Sequence, residues 1–204
     1  MKQVFLTLKF FEAIDYLPTK EDVLDFFVTK GLDKKYKRED LNKIISDLII
    51  AKEIILFEDL YLGLPDLNFE IRKSKQLERI AVSKLILRKI KKHNRIFSFI
   101  DTLSFFGLYG MSSETNVLIL EDKLSPLYRF ILKLIKIKDP LIIYTSDLVF
   151  KSHDIKSAFY LLKMPHVYSK LGVYEKFIFK NPWIFDYFGN YPVDKVSLSY
   201  KVVF

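Results

Sequence analysis

The sequence predicts an α+β fold in which helices dominate the first part and a small sheet with flanking helices follows. In the first 50 residues, apolar residues recur with helical spacing in three segments. Two short apolar runs, at 53–57 and 61–64, then enclose Glu58 and Asp59 and are typical of a β-hairpin. From Ile96 onward, short β-branched runs replace the helical spacing. Three helices followed by a hairpin predict an N-terminal winged helix-turn-helix.

The three N-terminal helices are predicted at residues 4–16, 21–29 and 38–50, where apolar residues recur every three or four positions. Thr19, followed by Asp22, resembles a capping box with a shorter acid. This pair is expected to open the second helix.

The fourth helix is longer and reaches from Asn68, whose side chain can cap it, to about Lys92. Leu77 and Leu85 are among its apolar positions, which we expect to face the core. Beyond this helix, strands and helices are predicted to alternate. The strands are expected at 96–100, 116–120 and 141–145, and the helices at 125–136, 154–163 and 174–187, with the last helix bent near Pro182.

These elements predict three parts of the chain. The expected boundaries are 1–66 for a winged-helix domain, 67–93 for a long basic connecting helix, and 94–204 for an α/β domain with a helical C-terminal end.

Composition excludes several classes of protein. Half of the 204 residues are hydrophobic, which rules out a disordered chain. The absence of cysteine excludes a disulfide framework and a cysteine-zinc site. The longest apolar stretch, 96–111, contains Asp101 and is shorter than the roughly 20 residues that a membrane-spanning helix needs. We therefore expect a soluble, cytoplasmic protein with no membrane partner.

Positive charge is concentrated in one segment of a chain whose net charge is +8. That segment, 72–95, contains ten basic residues and a single acid, Glu78. Such a block favours a polyanion, whether nucleic acid, an acidic protein surface or lipid headgroups, although a solvated lysine-rich helix face would have the same composition. The candidate polyanion-binding residues are Arg72, Lys73, Lys75, Arg79, Lys84, Arg88, Lys89, Lys91, Lys92 and Arg95.

Four segments carry a resemblance by their order along the chain. They are AIDYLPTKEDVLDFF at 13–27, LERIAVSKLILRKI at 77–90, SSETNVLILEDKL at 112–124 and DIKSAFYLLKMPHVYSKLGVYEKFIFKNPWIFDYF at 154–188. In this order they resemble the predicted nucleotidyltransferase-like proteins of uncultivated bacteria, in which a winged helix precedes a minimal nucleotidyltransferase fold. The resemblance covers nearly the whole chain and implies a small nucleotidyltransferase-like mixed sheet in residues 94–204.

The resemblance also implies where an active site would lie. In that superfamily a Gly-Ser turn holds the nucleotide phosphates, and two aspartates separated by one residue hold divalent ions. Here Leu103 and Ser104 are the nearest match to the turn, and Glu114 and Asn116 stand where the aspartates belong. Asparagine offers only a neutral carbonyl to a metal, and the leucine side chain obstructs the approach to phosphate. The resemblance therefore implies a degenerate active site at Ser104, Glu114 and Asn116, without a cofactor, although Asp101 and Asp122 are nearby carboxylates that could compensate.

Three functions from different classes follow. The favoured one is a catalytically inactive nucleotidyltransferase-like protein, a pseudoenzyme that acts as a binding or assembly module on RNA or a ribonucleoprotein. The first alternative is an active nucleotidyltransferase with an altered magnesium site. In either case RNA or a ribonucleoprotein is preferred to duplex DNA, and a protein partner also fits.

The second alternative is a winged-helix DNA-binding regulator. The cations Lys34, Lys35, Lys37 and Arg38 precede the third helix and favour phosphate contact, and Asn42 could reach a base edge. The hairpin tip, Glu58-Asp59, has the wrong charge for phosphate. We therefore prefer a packing or protein-interaction role for the winged helix.

Overall fold

The structure is a computed structural model. It describes residues 1–32, 36–92, 103–109, 116–121, 141–144, 150, 152–163, 166–169 and 172–198. These residues contain both helices and small sheets, so the α+β class predicted from the sequence is confirmed. The chain divides into two compact units. Unit 1 comprises Met1–Leu77 and Trp183–Pro192, and unit 2 comprises Glu78–Pro182 and Val193–Phe204.

Unit 1 begins with helices and a hairpin. In chain order, these are α1 (Lys2–Ala13), α2 (Lys20–Asp25), α3 (Arg38–Ile50), β1 (Ile55–Phe57), β2 (Tyr61–Gly63) and the start of α4 (Phe69–Lys92). Helix α3 has the bounds predicted from its apolar spacing, whereas α2 is shorter than predicted. The capping box at α2 is confirmed, because the Thr19 hydroxyl accepts from the Asp22 amide at 3.1 Å and the Asp22 carboxylate accepts from the Thr19 amide at 3.1 Å. Asn68 caps α4 by accepting from the Ile71 amide at 3.2 Å.

The predicted hairpin is confirmed as an antiparallel pair of β1 and β2 with Phe57 opposite Tyr61. Its tip residues Glu58 and Asp59 have φ angles of 51° and 54°. Two successive left-handed residues match the twist of the flanking strands, as in a type I′ turn. An antiparallel bridge between Thr19 and Tyr61 attaches the hairpin to the residues before α2.

The core of unit 1 includes residues from the far end of the chain. We call Trp183–Pro192 the return segment; it contains helix α7 (Trp183–Tyr187). Phe188 is fully buried, and its ring centroid lies 5.4 Å from that of Phe26 and 5.7 Å from that of Phe10. The Thr29 amide donates to the Tyr187 carbonyl at 2.8 Å, and the Gly189 amide donates to the Thr29 hydroxyl at 2.8 Å. The return segment therefore packs with residues 1–77, whereas the sequence-based boundaries grouped it with 94–204.

Unit 2 contains a four-stranded mixed sheet. Its described elements are β3 (Leu103–Tyr109), β4 (Asn116–Glu121), β5 (Leu141–Tyr144), α5 (Ile155–Lys163), β6 (His166–Ser169), α6 (Val173–Phe179) and α8 (Val193–Leu198). The strand order is β5-β4-β3-β6, with β3 antiparallel to β4 and β6, and β4 parallel to β5. Three of these elements, β4, β5 and α5, agree with the predicted ones to within one residue at each end.

Two expectations for unit 2 need correction. The strand that pairs with β4 is Leu103–Tyr109, so Leu103 and Ser104 lie in a strand and not in a turn. The strand predicted at 96–100 lies outside the described residues, as does the helix predicted at 125–136. The C-terminal helix predicted at 174–187 is divided into α6 and α7, because Pro182 lacks the amide that would continue the helix.

Candidate functional site

The exposed cations of α4 are the first candidate surface. Lys84 and Arg88 are exposed and one helical turn apart, which places them on the same side of α4 in unit 2. Within the described part of the chain, neither side chain forms an ion pair or a hydrogen bond. Lys75 is also exposed but belongs to unit 1. Lys84 and Arg88 therefore present two adjacent positive charges to solvent.

Other cations of the basic block are held inside unit 1. The Arg72 guanidinium donates to the Glu12 carbonyl at 3.0 Å and lies 3.4 Å from the Asp15 carboxylate. The Lys73 ammonium donates to both carboxylate oxygens of Glu58, at 2.5 and 2.6 Å, and this hydrogen bonding raises the pKa of Lys73. These two charges serve to fix α4 against α1 and the hairpin.

For the remaining cations of the basic block, the structure describes the side chain of Arg79 but not those of the others. Burial raises the pKa of Tyr160, and the charge of the half-buried Arg79 partly opposes this rise. Lys89, Lys91 and Lys92 lie on α4, and their side chains and Arg95 are outside the described parts.

The apolar positions of α4 do not all face the core, contrary to expectation. Leu77 is 50% exposed and Leu85 is 56% exposed. The buried position next to Leu77 is occupied by Gln76, which accepts from the Leu17 amide at 2.7 Å and donates to the Leu17 carbonyl at 3.1 Å. Because successive helical residues are about 100° apart, burial of Gln76 turns Leu77 outward.

The surface that a winged helix would present to DNA is mainly acidic. The exposed charged residues of α3 and the hairpin tip are Glu39, Asp40, Lys43, Asp47, Glu58 and Asp59. Arg38 was expected to contact phosphate, but its guanidinium pairs with Asp25 at 2.8 Å and with Glu21. Lys37 is exposed, Asn42 is half-buried, and Lys34 and Lys35 lie outside the described residues.

The register of the sheet separates two of the three degenerate active-site positions. Leu103 lies opposite Glu121, and Asn116 lies opposite Tyr109, at the other end of the β3–β4 pair. Ser104 is five residues from Tyr109, or about 17 Å along the strand. A register shift between Leu103 and Phe105 places Ser104 at a bulge. Ser104 and Asn116 are thus not brought together, and Glu114, Asp101 and Asp122 lie outside the described residues.

Sequence reasoning missed a polar cluster in unit 1 at the return segment. The Asn190 side-chain amide donates to the Tyr36 carbonyl at 2.8 Å, close to the start of α3. These residues are 154 positions apart. The pair Gly189-Asn190 is a typical turn signal, but it gives no indication of the partner.

Comparison with known proteins gives no family for this chain. No protein-family model, curated protein or solved structure matches it.

The described residues also bear on membrane spanning and metal binding. None of the described helices is both long enough and apolar enough to cross a bilayer. The same residues contain no group of three or more histidine, aspartate or glutamate side chains placed to hold a metal ion.

Proposed function

We propose that this protein is a binding module for a polyanion, with RNA as the preferred partner, and that it contacts phosphates through the exposed cations of α4. The observation that carries this proposal is the pair Lys84 and Arg88, exposed one turn apart in a segment with a single acid. Cations on such a surface bind phosphates and release condensed counterions, which favours binding and needs no base-specific contact.

We interpret residues 1–66 of unit 1 as a winged helix that serves packing or protein contact. Three helices, the hairpin and the Thr19–Tyr61 bridge support this interpretation of its fold. The acidic residues on α3 and at the hairpin tip would repel DNA phosphates. Duplex DNA regulation is therefore the weaker alternative, and we propose that α3 and the hairpin serve packing or protein contact.

We further propose that unit 2 is a nucleotidyltransferase-like domain without catalytic activity. Asn116 lacks a metal-bridging charge, and the separation of Ser104 from Asn116 does not favour a shared nucleotide site. Incubation with each labelled nucleoside triphosphate and Mg²⁺ or Mn²⁺ should give no incorporation into the protein or added RNA. Incorporation that is abolished by Glu114→Gln would instead support an active enzyme.

Charge reversal tests the RNA proposal directly. The double variant Lys84→Glu/Arg88→Glu should weaken binding of a single-stranded RNA by about tenfold or more at low salt, because two phosphate contacts become repulsive. The log-log slope of affinity against salt should fall in magnitude by about 1.4, or 0.7 for each phosphate lost. Fluorescence anisotropy at several salt concentrations measures both quantities.

A matched control is available on another helix of unit 2. Lys176 and Lys180 are also exposed and four residues apart, at the end of α6, so Lys176→Glu/Lys180→Glu changes the net charge equally. This control should leave most of the affinity intact. If both double variants weaken binding equally, or if the wild-type protein binds no RNA at low salt, α4 is only a solvated face.

A further inference from the structure

The side of α4 that carries Lys84 and Arg88 also exposes apolar side chains. Leu85 is 56% exposed and Val82 is 39% exposed, and Ala81 beside them is exposed as well. All five residues belong to unit 2. Apolar side chains gain free energy when a partner removes them from water. A partner that covers this face must therefore combine apolar surface with negative charge.

Helical geometry orders these side chains around α4. Successive residues are about 100° apart, so Lys84 and Arg88 form one edge of the exposed face and Leu85 lies near its middle. Val82 and an exposed acid, Glu78, form the other edge. The face is thus positive on one side, apolar in the centre and negative on the far side.

This asymmetry selects among the polyanions. A single-stranded RNA has the matching arrangement, because its phosphates run along one side and its neutral bases, with apolar faces and N–H donors, project from the other. An acidic amphipathic helix carries carboxylates on both sides of its apolar stripe, and one side would be repelled by Glu78. An RNA duplex keeps its bases stacked inside and would leave Leu85 and Val82 uncovered.

We infer that the bases of a single-stranded RNA contact Leu85 and Val82 while its phosphates contact Lys84 and Arg88. This inference rests on the proposed function and names single strands as its substrate class. Glu78 can accept from base N–H groups, such as the amino group of cytosine. The apolar contact itself needs no particular base, because every base has an apolar face.

An abasic oligomer is the direct comparison, because it keeps the phosphates of an RNA strand and lacks the bases. Fluorescence anisotropy with the full chain should show that an oligo(C) of about 12 nucleotides binds about tenfold more tightly than an abasic RNA oligomer of the same length and charge. The log-log salt slopes of the two oligomers should agree, because the same phosphates are neutralised in both. This comparison leaves the protein unchanged.

The variant Val82→Ser/Leu85→Ser removes the apolar contact and leaves every charge in place. It should weaken oligo(C) binding about fivefold or more without changing the salt slope, and it should bind the abasic oligomer as the wild type does. Phe179→Ser/Val193→Ser is the matched control, because these residues are 51% and 49% exposed on α6 and α8 of unit 2. The control should bind both oligomers as the wild type does, and circular dichroism checks that both variants are folded.

Failure of this inference differs from failure of the proposed function. If the wild type binds neither oligomer at low salt, the proposed function is refuted and this inference with it. If the wild type binds both oligomers equally well, only the base contact is refuted. The same holds if Val82→Ser/Leu85→Ser binds oligo(C) as the wild type does.

Two other occupants of this face would also overturn the inference. A synthetic acidic amphipathic helix that binds the wild type more tightly than oligo(C), and loses this affinity in Val82→Ser/Leu85→Ser, would assign the face to a protein helix. A wild-type dimer in sedimentation that the same substitutions dissociate would assign it to a second copy of the chain. We expect neither, because a second copy would bring two further cations to the same interface.

Discussion

Replacing Phe188 by alanine tests whether the return segment belongs to the core of unit 1. The Phe188 side chain is fully buried and contacts aromatic rings from two helices, Phe10 from α1 and Phe26 at the end of α2. Its backbone neighbours Tyr187 and Gly189 are hydrogen-bonded to Thr29. The truncation should therefore leave a cavity that the surrounding rings cannot readily fill.

The expected loss in the free energy of unfolding is large for a unit of this size. Removal of a buried phenylalanine side chain costs about 3–5 kcal/mol, which combines the lost transfer free energy with the energy of the cavity. Two aromatic contacts at 5.4 and 5.7 Å add to the value of this position. Because domains are stable by only about 5–15 kcal/mol, the variant should lose a substantial part of the free energy of unfolding of unit 1.

The chain contains a probe for this measurement in its single tryptophan, Trp183, which lies in the return segment. Denaturant titration monitored by tryptophan fluorescence reports the unfolding of the region around Phe188. Leu60→Ala is the control, because Leu60 is 48% exposed at the hairpin and its truncation should change stability by less than about 0.5 kcal/mol.

This prediction is wrong if Phe188→Ala lowers the free energy of unfolding of unit 1 by less than about 1 kcal/mol. A loss that small would mean that the Phe188 ring is loosely packed and leaves no cavity when it is removed. The prediction also fails if the midpoint of the Trp183 fluorescence transition is the same in the variant and the wild type. Either result would mean that the return segment lies against residues 1–77 without completing their core.

Three further substitutions test individual contacts in unit 1, each by denaturant titration. Gly63→Ala should lose about 1–3 kcal/mol, because an added Cβ would lie 2.8 Å from the Phe69 ring. Gln76→Leu should lose about 1–3 kcal/mol for each polar group of Leu17 left without a partner, whereas Leu77→Ala nearby should cost little. Burial and, to a lesser extent, the Asp22 charge raise the pKa of Tyr16 in the folded protein. Above about pH 10 the unfolded state therefore binds fewer protons than the folded state, and the free energy of unfolding should fall by up to about 1.4 kcal/mol per pH unit. The variant Tyr16→Phe should lose stability less steeply over the same pH range.

Elements with strong local signals were predicted well from the sequence. The apolar spacing of 38–50 gave the bounds of α3, and the Thr19–Asp22 capping box gave the start of α2. The hairpin around Glu58 was also predicted, because short apolar runs on either side of a polar pair are a local signal. In each case the information lies within about 15 residues of sequence.

The features that were missed depend on distant pairing. Strand β3 contains Leu103 and Ser104, which the resemblance placed in a turn, but the pairing with β4 on one side and β6 on the other holds these residues extended. The return segment could not be placed, because its contacts with Thr29 span about 160 residues.

The candidate sites also show this difference between local sequence signals and distant contacts. The sequence located the basic block, but it could not show which cations remain available. Arg72 pairs with Asp15, just after α1, and Lys73 pairs with Glu58 in the hairpin, so both charges are used within unit 1. The contact between Asn190 and Tyr36 was not foreseen, because these residues are 154 positions apart in the sequence.

The position of the return segment has a consequence for synthesis on the ribosome. About 105 residues separate Leu77 from Trp183, and at about 5–20 residues per second the ribosome needs roughly 5–20 s to make them. During that interval the rings of Phe10 and Phe26 lack the Phe188 ring that covers them in the finished protein. We therefore expect residues 1–77 to expose these two rings on the ribosome, and slowing translation of residues 78–182 should increase aggregation of the nascent chain.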